Sequence, residues 1–219
     1  MPEPLTVMMV GAGGGGLLLE LARRQFRIFK EILDLVGGGF AMCVFAPVML
    51  LCAIIIKLSD PDGPVLYRQV RVGLNGRLFT IYKLRTMYVD AEKHGKAMRA
   101  GQDDPRVIPW CRWMRMSHVD ELPQLFNILR GEMSLVGPRP ERPELFDELS
   151  RDMPDFEQRL TVKPGLTGLA QIYNGYDTDA ESVRRKLAYD LEYIEKMCLS
   201  LEMKLLLATF TKFRDRAAR

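Results

Sequence analysis

Asp120 and Glu121 stand side by side, two residues ahead of Pro123. Arg115 lies five residues upstream, and Gly137-Pro138-Arg139-Pro140 follows shortly downstream. A carboxylate can attack a phosphorus centre, and a second one can hold a divalent metal. Arginine suits bidentate phosphate recognition, and prolines on both sides fix where the Arg139 guanidinium points. Pro123 disfavours helical geometry just before it and lacks an N–H, so a helix through Gln124 to Arg130 starts near Asp120 or kinks there. Gly131 is placed to end it. Asp120 then lies near a helix N-terminus, where free N–H groups favour anions. Adjacent carboxylates project about 100° apart on an α-helix, which points to separate jobs. The plainer reading is a capping Asp, a solvated Glu and a loop arginine in a surface salt bridge. The pair alone does not decide between them.

The elements that must position these groups begin with an apolar segment. Ile32 to Ile56 reads ILDLVGGGFAMCVFAPVMLLCAIII, with Asp34 its only charged residue. At ~1.5 Å per residue it would reach ~38 Å as a straight helix, enough for a hydrocarbon core of ~30 Å. A buried core helix is the alternative. Arg23, Arg24, Arg27 and Lys30 flank one end, and Lys57, Arg68 and Arg71 the other. Positive charge marks the cytoplasmic side, so both ends ask for the same side. Pro47 near the middle bends a helix, and Gly37 to Gly39 loosen it. A re-entrant, monotopic helix satisfies both flanks; a simple crossing satisfies one.

The whole chain has 219 residues, 25.0 kDa and a net charge of +3, too small an excess for a protein living on nucleic acid. Hydrophobic residues make up 47% and charged ones 27%, which excludes global disorder. Cys43, Cys52, Cys111 and Cys198 are scattered and form no CxxC, and His94 and His118 lie far apart. Neither a disulfide framework nor a zinc site is indicated. Gly11, Gly13 and Gly16 make a G-x-G-x-x-G pattern, but no alternating strand–helix series follows it, so a flexible stretch before an amphipathic lead-in helix is the better reading. Ser59 to Pro64 is turn chemistry. Val65–Val72 and Leu78–Arg85 flank Asn75-Gly76 and read as a β-hairpin. It carries Arg68, Arg71, Arg77, Lys83 and Arg85, able to meet lipid headgroups or a polyanionic substrate. Asp90 to Asp104 reads as a polar surface helix or loop, and Pro164 to Gly168 as a loop. From Ser182, Leu187, Leu191, Ile194, Cys198, Leu201, Leu205 and Ala208 form a helical stripe, fit for core packing, for an interface helpful to membrane contact, or for a homodimer.

Together these pieces resemble the bacterial sugar transferases, the monotopic phosphoglycosyl transferases in their minimal form. The resemblance rests on the apolar segment with Pro47, DGPVLYRQVRVGLNGRLFTIYKLRTM, HVDELPQLFNILRGEMSLVGPRPER, KPGLTGLAQI and YDLEYI, and covers about Arg27 to Lys212. It implies an α+β, mostly α fold: a re-entrant membrane helix at 27–58 after a glycine-rich leader (1–26), then a catalytic domain (59–219) with a small hairpin and interfacial amphipathic helices. It implies transfer of sugar-1-phosphate from a UDP-sugar to polyprenyl phosphate, with UMP released, at the cytoplasmic face of the bacterial inner membrane, opening polysaccharide or glycoconjugate assembly. Asp120 matches the family's nucleophile, which forms an aspartyl-phosphosugar, and Glu121 the residue assigned to Mg2+. Arg115 matches a phosphate-engaging arginine. Arg139, between Pro138 and Pro140, matches a nucleotide-binding one. Lys83 and Arg85 are expected on the substrate, and Pro47 at the break in the membrane helix. Ala46 precedes that proline where the family often has serine. His118 is open to a phosphate contact or a plain surface role. A non-catalytic scaffold that kept the fold is the alternative reading.

Overall fold

The computed structural model describes residues 14–89, 104–174 and 179–212. Residues 1–13 of the glycine-rich leader, most of the polar stretch from Asp90 and the last seven residues lie outside them.

The apolar segment is one helix, α1 (Gly14–Ser59), which also takes in the lead-in sequence and holds Pro47 inside it. It stops where SDPDGP begins. The Lys57 ammonium donates to the carbonyls of Pro61 (2.9 Å) and Gly63 (3.0 Å), a cation over the free carbonyls and the negative end of the helix dipole. Two separate stretches of α1 dock on the rest of the protein. Toward the N-terminus, Gly37 and Gly38 lie so close to Leu135 and Ile128 that a side chain there would crowd them. Lys30 donates to the Val136 carbonyl (3.0 Å) and Glu202 (2.7 Å), and Asp34 is buried. Toward the C-terminus, Cys52 and Ile56 join a buried cluster with Leu84, Ile108, Cys111 and Met114. Between them, residues 43–51 are exposed all round except for half-covered Phe45 and Met49.

The hairpin pairs β1 (Leu66–Val72) with β2 (Leu78–Leu84), Leu66 opposite Leu84 and Val72 opposite Leu78. Asn75 (φ 54°) and Gly76 (φ 76°) turn the chain in the left-handed region, which Asn and Gly tolerate best. Helix α2 (Arg112–Met116) leads to a 3-10 turn at Val119–Gln124, and α3 (Leu125–Leu129) continues from it. Gly131, at φ 73°, ends that helix as the sequence indicates. Strand β3 (Ser134–Val136) follows; after α4 (Pro143–Asp152) and a 3-10 segment at Pro154–Thr161 comes β4 (Gly165–Thr167), parallel to β3. The expected loop at Pro164–Gly168 is thus largely a strand. Gly137, Gly165 and Gly168 allow this approach, since a Cβ at any of them would strike backbone. Helices α5 (Leu169–Tyr173), α6 (Ala180–Lys196) and α7 (Leu199–Lys212) complete the described fold.

The main core gathers Phe79, Ile81, Leu125, Ile128, Val136, Tyr193 and Leu205 from strands and helices alike. The C-terminal stripe therefore splits between two helices at Met197 and Cys198. Leu187 and Leu205 are buried and Leu191, Ile194, Leu201 and Ala208 half-buried, so core packing takes most of it. A different row on α7, Leu199, Met203 and Leu207, stays exposed.

Candidate active site

The 3-10 turn opens at His118, whose backbone is left-handed at φ 54°. Glu121 N donates to the His118 carbonyl (3.1 Å), closing the turn that carries both carboxylates. At three residues per turn, neighbours on such a helix project about 120° apart. Glu121 faces the hairpin and the Pro138-Arg139-Pro140 loop. Lys83 of β2 donates to Oε1 at 2.8 Å, and Arg139 forks onto the same carboxylate at 2.6 Å and 3.0 Å. Burial would push Glu121 up, but the charges of Arg139 and Lys83, and their hydrogen bonds, outweigh it and hold the carboxyl well below its usual range.

Asp120 has the opposite surroundings. It is nine-tenths buried and makes no ion pair within salt-bridge distance among the described residues. Burial, then the neighbouring Glu121 charge, raise it to about 6, against the pull of Lys83, Arg115 and Arg139. At neutral pH it is ionised yet poorly solvated, which suits a nucleophile.

Buried amide chemistry sets the spacing of these elements. Asn127 is fully buried; its Nδ2 donates to the Thr80 carbonyl (2.7 Å) and Glu132 (2.8 Å), and its Oδ1 accepts from Tyr82 N (3.3 Å). It splices β2 to α3, so Lys83 and Glu121 meet in fixed register. The loop from Val136 to Glu141 is pinned along its length. Its carbonyls accept from Lys30 and Tyr193 (Val136), Gly165 N (Pro138), Arg159 (Arg139), Arg71 (Pro140) and Val72 N (Glu141).

These motifs also match a known family model. Residues 25–216 match the model described as "Bacterial sugar transferase". The chain belongs to the bacterial sugar transferase family. It is 40% identical over 208 residues to a UDP-glucose:undecaprenyl-phosphate glucose-1-phosphate transferase of Caulobacter vibrioides, covering 94% of this chain and 76% of that protein. It is 40% identical over 184 residues to a UDP-N-acetylgalactosamine-undecaprenyl-phosphate N-acetylgalactosaminephosphotransferase of Aeromonas hydrophila, covering 84% of this chain and 43% of that protein. A Rhizobium leguminosarum exopolysaccharide production protein, PSS, is 35% identical over 190 residues, covering 83% and 93%. The chain thus spans less than half of the Aeromonas relative and about three quarters of the Caulobacter one.

In this bacterial sugar transferase the structure gathers Asp120, Glu121, Lys83 and Arg139, with Pro138 and Pro140 buried beside the last. The Arg139 side chain is 37% exposed, so its outer edge stays open to a ligand. Arg115 stands near Asp120 as a charge; its hydrogen bond, at 3.4 Å, goes to Thr86. His118 is exposed beside the turn. Arg85 departs from expectation. Its buried guanidinium is taken up by Asp60 and by the carbonyls of Asp60 and Pro64, locking the turn after α1 to the end of β2. It follows the last residue of β2, so the alternation that puts Lys83 on the site no longer governs it.

The sequence reading missed Arg159 and Asn127 and gave Arg71 only a place among the hairpin cations; the bonds of Arg71 to Pro140, Arg159 to Arg139 and Asp190, and Asn127 to Thr80 each cross twenty or more residues. Among the described residues no group of three or more His, Cys, Asp or Glu could cage an ion. A carboxylate offers about four acceptor positions, and three on Glu121 are taken, leaving one on Oε2. One hard oxygen beside a second carboxylate fits Mg2+ that takes its remaining ligands from phosphates and water.

Proposed function

We propose that this protein transfers sugar-1-phosphate from a UDP-sugar to polyprenyl phosphate, releasing UMP, through an aspartyl-phosphosugar on Asp120. The observation that carries the reading is the pairing of a desolvated, unpaired Asp120 with a Glu121 held by two cations, in a family member. The names of the relatives support a UDP-sugar donor and undecaprenyl phosphate acceptor. Asp120 attacks the β-phosphorus of the donor, the bond to the UMP oxygen breaks, and UMP leaves with that electron pair. An oxygen of polyprenyl phosphate then attacks the same phosphorus, breaking the bond to Asp120 and restoring the carboxylate. Lys83 and Arg139 sit where a diphosphate would bring its charge, and Arg139 has an open edge to meet it. Glu121 would hold Mg2+, which when bound would supply charge neutralisation on the diphosphate.

The membrane reading belongs to the same proposal. Helix α1 is long and apolar enough to cross a membrane, yet both its docked stretches pack on one body while 43–51, around Pro47, stands exposed between them. A helix that dips into the cytoplasmic leaflet and returns, bending at Pro47, accounts for this. Pro47 has no N–H for the Cys43 carbonyl, so the bend falls there. Cysteines placed at Gln25 and Ser59 are both expected to react with an impermeant thiol reagent added outside inverted vesicles, whose outer face is the cytoplasmic one, and neither in intact cells. Reaction of one from each side would establish a span.

The chemistry is tested by UMP release from detergent-solubilised protein with Mg2+, a panel of UDP-sugars and polyprenyl phosphate, alongside mass spectrometry without acceptor. The expected results are release with one sugar and an added sugar-phosphate mass on the wild type but not on Asp120→Asn. Turnover by that variant would remove Asp120 as nucleophile. Silence with every sugar would favour a scaffold.

A further inference from the structure

We infer that Arg159 is a positioning residue for the donor half of the reaction, acting through the backbone of Arg139. The inference rests on the proposed role of Arg139 at the donor phosphates.

Arg159 lies in the 3-10 segment before β4 and is 4% exposed. A buried guanidinium has five donors to satisfy, and here they turn to two elements, α6 and the 136–141 loop. Its Nε donates to Asp190 of α6 at 2.7 Å, and its Nη2 to the Arg139 carbonyl at 2.8 Å. Its Nη1 stands 3.9 Å from Glu141, itself paired with Lys186 of α6. One face is stacked on the Phe156 ring, 4.5 Å to its centroid. None of these contacts reaches Asp120 or Glu121. One of them holds the backbone of Arg139, on which the Glu121 fork is mounted, and the others hold Arg159 in place. Asp190 lies in YDLEYI, and through Arg159 it ties α6 to the Arg139 carbonyl.

The other carbonyls of this loop are held by main-chain N–H groups, by Arg71 at Pro140, and by Lys30 and the Tyr193 hydroxyl at Val136. At Arg139 the holder is fixed by a carboxylate at 1% exposure, so the carbonyl has little freedom to follow it. An ammonium cannot span this geometry. Arg159→Lys keeps the charge for Asp190 or Glu141 and gives up the simultaneous bond to the Arg139 carbonyl. The Arg139 guanidinium then loses its fixed aim while its charge is unchanged.

In a ping-pong reaction kcat/KM for the donor reports the first half alone. Arg159→Lys is expected to lower kcat/KM for the UDP-sugar about ten- to a hundredfold, and that for polyprenyl phosphate less than about twofold. In an Arg139→Lys background the same change is expected to cost less than about twofold, because nothing is left to aim. Asp190→Asn, which keeps the shape and one acceptor, repeats the pattern at smaller size and carries the test if Arg159→Lys does not fold. Equal losses in both constants, or a full loss retained in the Arg139→Lys background, would overturn the inference. An inactive wild-type protein would instead overturn the proposed function.

Discussion

Asp120 and Glu121 share a turn and a charge, and the molecule treats them as opposites. On the Glu121 side two cations arrive from separate elements, each held in place by buried amides or carbonyl contacts. On the Asp120 side the protein supplies burial, and only the more distant charges of Lys83, Arg115 and Arg139. The same carboxyl chemistry becomes a fixed anion in one place and a reactive one in the other. What separates them is the facing imposed by a 3-10 helix, together with what the hairpin and the proline loop bring to one face only.

The largest expected break in the comparison is catalytic. Asp120→Asn should lower turnover by roughly a thousandfold or more, because no nearby group can replace the attacking oxygen. Glu121→Gln should cost about a hundredfold and flatten the Mg2+ titration. Steady-state UMP release checks both. Equal losses would mean that the two carboxylates do not have separate roles.

Stability sharpens the contrast further, because the two amide substitutions should have opposite signs. Glu121 is held below its unfolded value, so its stabilisation is present above about pH 4 and fades as pH falls through its depressed pKa. Glu121→Gln leaves Lys83 and Arg139 without their partner, and at pH 7 should destabilise by about 1–3 kcal/mol, reduced by the exposure of Arg139. Asp120 is raised to about 6, so it costs stability as pH climbs from about 4 through 6. Asp120→Asn should therefore stabilise the protein above pH 6, by about 1–3 kcal/mol, with the gain vanishing near pH 4. Thermal melts at pH 4.5 and 7.5 read both. Two shifts of the same sign would contradict the assignment.

Much of this was legible in the sequence wherever the signal was local. Asn75-Gly76, Gly131 after α3, the acidic pair before Pro123 and the apolar run each act within a few residues of themselves, and each appears where expected. Lys83 and Arg139 could be singled out by charge and by flanking prolines. Their common target, Glu121, could not, because it lies 38 and 18 residues away. The parallel pair β3–β4 has three residues per strand, too few for a period-two pattern to show. Arg85 counts among the hairpin cations by charge alone, and its structural partner, Asp60 in the turn after α1, lies 25 residues away. The split of the C-terminal stripe at Met197 and Cys198 was hidden, because its apolar spacing runs on through the break.

The smallest effect concerns Arg115, which touches neither carboxylate with a hydrogen bond and yet lowers Asp120 by charge alone. Arg115→Gln removes a positive charge from the reactive side and leaves the braced side intact. Asp120 should then titrate modestly higher, as expected on losing a partly screened positive charge. The readout that isolates this is the pH at which Asp120→Asn begins to outmelt its parent, compared with and without Arg115→Gln. The onset should move upward, while the acid-side loss from Glu121→Gln stays in place. If both move together, Arg115 acts on the turn as a whole rather than on Asp120.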